Sequence, residues 1–305
     1  MTIDALQQLL MTNAQDKTEE YTRLFHGRGG FYGDYKFLTV DSADQVLYAA
    51  FFAPDDEEEA IVGMLQRFYA TEGKWQALVV QQRYLKGAPS EVVAGELPEE
   101  TFALENSLKY RLNFLNNQNI GFFPDMKIGR EFVRDNAQGK KVLNLFAYTC
   151  PFSVAAIAGG AKSVVNVDMS KGALSTGREN HRLNALDPRS SQYMPYNILN
   201  SWSRIRKAGP YDLIIIDPPS FQKGSFAATS DYAKIIRRLK ELAADSCTVL
   251  SALNAPELGT EFIRTLFKEN APEFAFVGRL ENMESFPSDD DERSLKNLIF
   301  QKGEA

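Results

Sequence analysis

Lys140 to Ser170 reads "KKVLNLFAYTCPFSVAAIAGGAKSVVNVDMS". Its apolar run "KKVLNLFAY" is a strand candidate, and "PFSVAAIAGG" is a helix with Pro151 in its first turn, where the missing amide hydrogen costs nothing. "KSVVNVDMS" is a second strand, and Ser170 suits the cap of the next helix, "SKGALSTGRENHRLN". Strand candidates go on alternating with helical patterns roughly 10 to 18 residues long. They are "SQYMPYN", "YDLIIID", "CTVLSALN", "FAFVGRL" and "LKNLIFQ", with helices expected from about Asp231 to Ala244 and after Pro256. Runs such as "LIII" have no polar face, so helices must cover both sides of the sheet. The fold class is α/β, a doubly wound, Rossmann-like parallel sheet occupying 120–305.

The chain before it has a different texture. "KFLTV" and "QVLYAAFF" are strand candidates, the acidic "PDDEEE" precedes the helical spacing of "AIVGMLQRFYA", "WQALVVQQRYL" is another strand, and "PSEVVAGELPEE" reads as turns and a hairpin. Residues 1–119 are therefore expected to form a smaller N-terminal α+β domain. Of 305 residues 44% are hydrophobic, enough for a globular chain of one or two domains. No apolar run approaches the ~18 residues needed to cross a bilayer, and no secretory leader pattern opens the sequence, so a cytoplasmic protein without membrane partners is expected. Two cysteines, Cys150 and Cys247, and two histidines supply neither a disulfide framework nor a zinc set, and no metal is expected. A net charge of −6 rules out a global field recruiting nucleic acid, which must use a local patch if it binds.

In doubly wound sheets ligands bind beyond the carboxyl ends of the strands. Those ends here are "FAYTCP", "VDMS", "YNILN" and "DPPSF". Asp168 closes the second strand about 20 residues after the first turn, where a carboxylate accepts both hydroxyls of a ribose. The competing reading is an aspartate capping the next helix, a task that Ser170 already suits. The first turn, "FAYTCPFS", lacks the GxGxxG glycines that bring backbone amides to a pyrophosphate, which disfavours a dinucleotide. A nucleoside without phosphates needs only a tight turn, which points to S-adenosylmethionine and methyl transfer.

The segments "LKYRLNF", "GFFPDMKIGR", Lys140 to Asn184 and "DPPSF" together resemble the class I S-adenosylmethionine-dependent methyltransferases related to bacterial large-subunit ribosomal RNA methyltransferases. Members of that family make 5-methylcytosine or 7-methylguanine. The resemblance implies that Phe146, Ala147, Tyr148 and Thr149 line the ribose and methionine moiety, with Asp168 on the ribose hydroxyls and Met169 against the adenine. It implies that Asn197, often Asp in the family, accepts the adenine amino hydrogen. Phe123, Asp125 and Lys127 match the region that closes over the cofactor, and Lys127 pairs with the methionine carboxylate. Two departures stand out: Cys150 and Pro151 replace family glycines, and "GFFPDMK" stands where "GFFLDQR" is common.

By the same resemblance "DPPSF" holds the catalytic positions. Asp217 points at the sulfonium end of the cofactor, Pro218 helps to fix the turn, and Phe221 offers a face to an aromatic acceptor. Cytosine carbon-5 methylation needs a cysteine to attack carbon 6. Cytosine-modifying relatives carry "SCS" on the strand that here reads "CTVLSALN", which sets Ala252 in the cysteine's place. A ring nitrogen in RNA is the expected acceptor, with a small molecule or protein, a nucleotide-cofactor oxidoreductase or a silent relative as alternatives. The stretch "RLFHGRGGFYGDYK" interleaves cations and aromatics as a flipped or single-stranded nucleotide would require, or as an ordinary glycine-rich turn would. The acidic "PSDDDERS" is expected to be a solvated loop. Oligomeric state has no signal in the sequence.

Overall fold

The computed structural model describes residues 1–15, 19–219, 221–222 and 226–303, with the backbone alone at 221 and 222. Two compact units divide the chain: Met1–Pro124 with Met283–Asp290, and Asp125–Asn282 with Asp291–Ala305.

In the first unit, α1 (Ile3–Gln15) precedes β1 (Thr22–His26), β2 (Leu38–Ala43), β3 (Val46–Phe51), α2 (Glu58–Glu72), β4 (Ala77–Gln82) and β5 (Ser90–Gly95), followed by the pair β6 (Phe102–Glu105) and β7 (Leu108–Arg111). Strands β1 to β5 form one sheet in sequence order. Only β3 and β4 run parallel, which is the pair that α2 connects. Ser90–Gly95 is the second arm of an antiparallel hairpin with β4. The sheet closes on α1 and α2 through Leu6, Leu10, Leu47, Ile61, Leu65 and Phe68.

In the second unit the order is α3 (Lys127–Asp135), β8 (Lys141–Leu145), α4 (Pro151–Ala158), β9 (Ser163–Val167), α5 (Lys171–Leu183), β10 (Ser191–Met194), α6 (Trp202–Lys207) and β11 (Tyr211–Ile216). There follow the short pair β12 (Phe221–Gln222) and β13 (Phe226–Ala227), α7 (Ala228–Ile236), α8 (Leu239–Leu242), β14 (Ala243–Leu253), α9 (Thr260–Asn270), β15 (Ala275–Leu280) and β16 (Lys296–Lys302). The seven-stranded sheet has the order β10-β9-β8-β11-β14-β16-β15. Strands β10, β9, β8, β11 and β14 are parallel, and β16 runs antiparallel to both its neighbours.

Alternation along these strands explains the apolar runs. Val142, Val164, Leu213, Ile215 and Leu250 pack on one face with α3 and α4 residues such as Val133, Phe152 and Ala156. Leu143, Leu145, Ile214, Ile216 and Val249 pack on the other with Tyr232, Ile236, Ile263 and Phe267 from α7 and α9. Leu213 to Ile216 are all fully buried, each burial contributing ~1.5–3 kcal/mol. The doubly wound sheet is thus observed, with its switch in strand order between β8 and β11, the two strands of the unit's halves that lie side by side.

The helix expected from Asp231 to Ala244 starts earlier, at Ala228, and breaks after Ile236; Ala243 already belongs to β14. The acidic stretch is exposed from Asp289 to Arg293, as a solvated loop would be, and is tied down at two points. Asp289 donates its amide to the Gly29 carbonyl at 2.9 Å within the first unit. Glu292, in the second, accepts from the Thr260 amide at the start of α9 and from Arg279 Nη1 at 3.2 Å. A carboxylate at a helix N-terminus answers free amides and the helix dipole, which is why this acidic run is ordered.

Candidate functional site

Strand β8 ends at Leu145, and the chain turns sharply into α4 through left-handed backbone at Phe146 (φ 60°), Tyr148 (φ 49°) and Cys150 (φ 62°). Such conformations cost non-glycine residues about 1–3 kcal/mol each and persist only where surroundings impose them. The surroundings here are specific. Asp168, just past β9, accepts the Tyr148 amide at 2.9 Å and the Ser170 amide at 2.8 Å, one on each carboxylate oxygen. Ala147 donates its amide to the Val167 carbonyl, and Cys150 donates to the carbonyl of Ala147. Ser170 Oγ accepts from Ala173 N, so the helix cap is separate from Asp168. Burial raises the Asp168 carboxyl above its ordinary range, and the two amides pull it back down.

Phe146, Asp168, Met169, Tyr196, Asn197, Ile198 and Leu199 line one cleft at the carboxyl ends of β8, β9 and β10. Four of the residues expected around a nucleoside therefore meet: Phe146, Asp168, Met169 and Asn197. Ala147 and Thr149 are buried instead, Ala147 beneath the turn with Cys150 and Leu174, and the Thr149 carbonyl accepting from Asn180 Nδ2 at 2.9 Å. Tyr148 reaches the site through its amide. Asn197 Oδ1 accepts from Leu199 N at 2.9 Å and keeps one lone pair for a ligand. Tyr196, Ile198 and Leu199 lie on the strand-end stretch "YNILN", which marked the place without marking the side chains.

Across the switch point, Ile216 pairs with Leu145, which sets Asp217 beside the turn that begins at Phe146. Burial pushes the Asp217 carboxyl up to about 7; Asp125 pushes in the same direction and Arg130 opposes it. Arg130, on α3, is itself 2% exposed. Pro218 is buried. Ser220 and the side chain of Phe221 lie outside the described residues. Lys127 begins α3 and is half-buried, Asp125 opens the second unit, and Phe123 is an exposed residue of the first.

Sequence reasoning missed two rings here. Phe226 is buried and packs edge-on against Phe146, centroids 5.0 Å apart. The Tyr232 hydroxyl lies 2.7 Å from Ser251 Oγ and 2.7 Å from the Ala252 carbonyl, tying α7 to the end of β14. Tyr232 sits where the sequence showed only a helical pattern, and Phe226 precedes it on the short β13. Cys247 is buried on the early half of β14, opposite Lys302, and burial pushes its thiol up to about 12. Ala252, 1% exposed, stands near the strand's carboxyl end.

The donor set fits a nucleoside without phosphates: an acidic acceptor at the second strand end, an amide side chain at the third, apolar walls between them and a turn without glycine. Among the described residues no group of three or more His, Cys, Asp or Glu is placed to hold a metal ion, and no helix is long and apolar enough to cross a membrane.

Comparison with known proteins agrees with this chemistry. Ribosomal RNA large subunit methyltransferase I of Aeromonas salmonicida is 33% identical over 190 residues, covering 60% of this chain and 48% of that protein. YwbD of Bacillus subtilis, provisionally named as a ribosomal RNA large subunit methyltransferase, is 28% identical over 315 residues, covering 95% of this chain and 76% of that protein. The chain thus spans about half the length of the Aeromonas relative. Among solved structures, SMU.776, described as a candidate methyltransferase complexed with SAH, superposes with a TM-score of 0.87 at 23% identity, covering 99% of this chain and 82% of that one. A SAM-dependent methyltransferase from Agrobacterium tumefaciens gives 0.65 at 18% identity, with 87% of each chain covered. Residues 22–301 match the family described as S-adenosylmethionine-dependent methyltransferase, and the chain belongs to that family.

Proposed function

We propose that this methyltransferase modifies a base in ribosomal or other RNA, at a ring nitrogen in preference to carbon 5 of cytosine. The observation that carries the choice of atom is the absence of a usable thiol near the acceptor. Ala252 stands at the carboxyl end of β14, while the Cys247 thiol is buried five residues earlier and held neutral. Without a thiolate to add to carbon 6, the 5,6 bond of cytosine stays unactivated. The RNA reading is supported by the names of the relatives.

In this reading Asp168 accepts the ribose hydroxyls while the Tyr148 and Ser170 amides hold its carboxylate in place. Met169 and Ile198 flank the adenine, Asn197 accepts from its amino group, and Lys127 answers the methionine carboxylate. Bound S-adenosylmethionine supplies an electrophilic methyl carbon on a sulfonium. With it bound, a ring-nitrogen lone pair of the base would form the new N–C bond as the C–S electron pair left with sulfur, so the chain's task is alignment. Phe221 stacks the base, and the Asp217–Pro218 turn orients it. With a pKa near 7, Asp217 is partly ionised at neutral pH and accepts a proton wherever the attacking nitrogen carries one.

The first unit serves substrate recognition. Its cation and aromatic stretch is thinner than it reads: Phe25 and Tyr35 are core residues, and Arg23 pairs with Asp41 at 2.5 Å. Phe31, 62% exposed, Arg28, whose guanidinium lies 4.1 Å from the Phe52 ring centroid, the exposed Lys36 and the half-buried Tyr32 are what remains for a nucleotide. That reduction, with the net charge of −6, favours a small molecule or protein as the second reading. The deciding experiment incubates pure enzyme and labelled cofactor with total RNA from cells lacking the gene, then identifies modified nucleosides by mass spectrometry. A methylated purine is expected. 5-Methylcytidine would overturn the choice of atom, and label in protein or small molecules but not RNA would overturn the substrate.

A further inference from the structure

Behind the turn after β8, buried side chains form one hydrogen-bonded chain that the proposed chemistry does not use. Asn144 Nδ2 donates to Asn166 Oδ1 at 2.9 Å, and Asn166 Nδ2 donates to Ser153 Oγ at 3.0 Å. Ser153 Oγ lies 3.0 Å from His181 Nε2, and His181 Nδ1 lies 2.7 Å from the Gly177 carbonyl. All four side chains are at most 2% exposed. A carbonyl only accepts, so Nδ1 carries the imidazole hydrogen. In the neutral ring, which burial favours, Nε2 then accepts, and Ser153 donates to it while receiving from Asn166. Every donor therefore points the same way along the chain, and that polarity requires a neutral ring. The Tyr193 hydroxyl oxygen, 3.0 Å from Nδ1, shares the same hydrogen.

The relay ends on the face of α5 that shapes the turn. Asn180 Nδ2, one residue before His181, holds the Thr149 carbonyl at 2.9 Å. Gly177, whose carbonyl takes the histidine's hydrogen, leaves space for the Cys150 thiol: a Cβ there would come 2.5 Å from Sγ. Thr149 and Cys150 follow Tyr148, whose amide fixes Asp168.

The geometry points to His181 as a positioning residue for the cofactor: its neutral Nδ1–H tautomer, fixed between Ser153 and Gly177, ties α5 to α4 and so keeps Asn180 and Gly177 of α5 against the Tyr148–Cys150 turn. This role rests on the reading that the turn and Asp168 carry the nucleoside. A second proton on Nε2 would face Ser153 Oγ, which would have to stop donating, and the relay would lose its polarity. Other ionisable groups around the His181–Tyr193 pair are Cys150 in the turn, with Asp168 acting on it, and Arg178 and Arg182 on α5. Burial holds the imidazole below its usual range. Protonation therefore requires acid and opposes cofactor binding.

The test is calorimetric titration of S-adenosylhomocysteine from pH 7.5 to 5.0 with the wild type, His181→Asn and His181→Ala, folding being checked at each pH by circular dichroism. Asn keeps a donor for the Gly177 carbonyl but cannot titrate. At pH 7.5 it should bind within about threefold of wild type, with Ala at least tenfold weaker. As pH falls, wild type should lose about fivefold more affinity than His181→Asn; Asp168 and Asp217 titrate in both proteins, so the ratio of the two profiles reports His181. Parallel profiles, or Ala binding as well as wild type, would overturn the proposal. Long-range proton–nitrogen spectra of the two-histidine wild type read the tautomer without any variant, and Nε2–H at His181 would also overturn it. A folded wild type that does not bind at pH 7.5 would remove the cofactor reading itself, and this proposal with it.

Discussion

At the scale of single residues, the proposed cofactor recognition rests mostly on the one carboxylate of Asp168. Two backbone amides hold its oxygens, so a ribose would meet it already oriented, and in that reading Asp168→Ala should weaken S-adenosylhomocysteine binding by about 2–4 kcal/mol in calorimetry. Unchanged affinity would remove the ribose assignment. Phe221→Ala should instead lower turnover and leave cofactor affinity near wild type, since stacking one base on a ring contributes about 1–3 kcal/mol. A collapse of cofactor affinity in that variant would move Phe221 into the cofactor pocket. Asp168 and its separate cap Ser170 were legible because a strand-end acid followed by a serine is a local pattern. Phe226 and Tyr232 were not, because each acts across space on a strand far away in sequence. Nor does a residue letter disclose that Phe146, Tyr148 and Cys150 take left-handed backbone, since non-glycine residues rarely do so.

Among the elements, α5 and the turn before α4 are fitted to one another as bump and notch. Gly177→Ala would drive a methyl into the Cys150 thiol and should destabilise the second unit by about 1–3 kcal/mol. In a Cys150→Gly background the same change should cost nothing, or gain ~0.5–1 kcal/mol, as alanine suits a helix better than glycine. Urea denaturation of the four proteins should give a coupling above about 1 kcal/mol; additive costs would show that the two sites do not share the space. The long apolar strands were the most legible part of this fold, because burial on both faces leaves no room for polar residues. Helices α3 and α6 were hard to bound from the sequence for different reasons. In α3 the single residues Gly129, Arg130 and Val133 face inward, a mixed set that hides the period, and α6 has six residues. The arm β5 is half-exposed along most of its length, so its composition resembled that of turns.

Over the whole molecule, protons distinguish the two units. Both histidines of the chain are held neutral: His26, in the first unit, is lowered to about 3 by burial and then by Arg23 and Arg28, and His181, in the second, is lowered by burial. Each folded value lies below that of an unfolded imidazole, ~6.5, so the unfolded chain binds more protons and stability is lost as pH falls below that point, by up to ~1.4 kcal/mol per pH unit for each group. Asp217 has the opposite sign. Its folded value of about 7 exceeds the ~3.9 of an unfolded aspartate, so its contribution is lost as pH rises through that window. The first unit should therefore weaken from pH 7 to 5.5 while the second changes less. Trp75 and Trp202 lie in different units, so Trp202→Phe and Trp75→Phe give fluorescence reporters for each; equal shifts of the two urea midpoints would contradict the assignment. His26→Gln should flatten the first unit's dependence.

The segment Met283–Asp290 gives this division a consequence for the order of synthesis. Phe286 lies with its centroid 4.6 Å from the Arg23 guanidinium and 5.1 Å from the His26 ring, and Asp289 closes on Gly29. The first unit thus receives its final pieces only after residues 125–282 of the other unit have been made. Its maturation waits on sequence synthesised long after its own sheet. In a chain stopped at residue 124 the His26 imidazole loses the cover of Phe286 but keeps Arg23 and Arg28, so it should titrate closer to ~6.5 than in the full chain while staying below it, and a peptide spanning 280–292, added in trans, should lower it again.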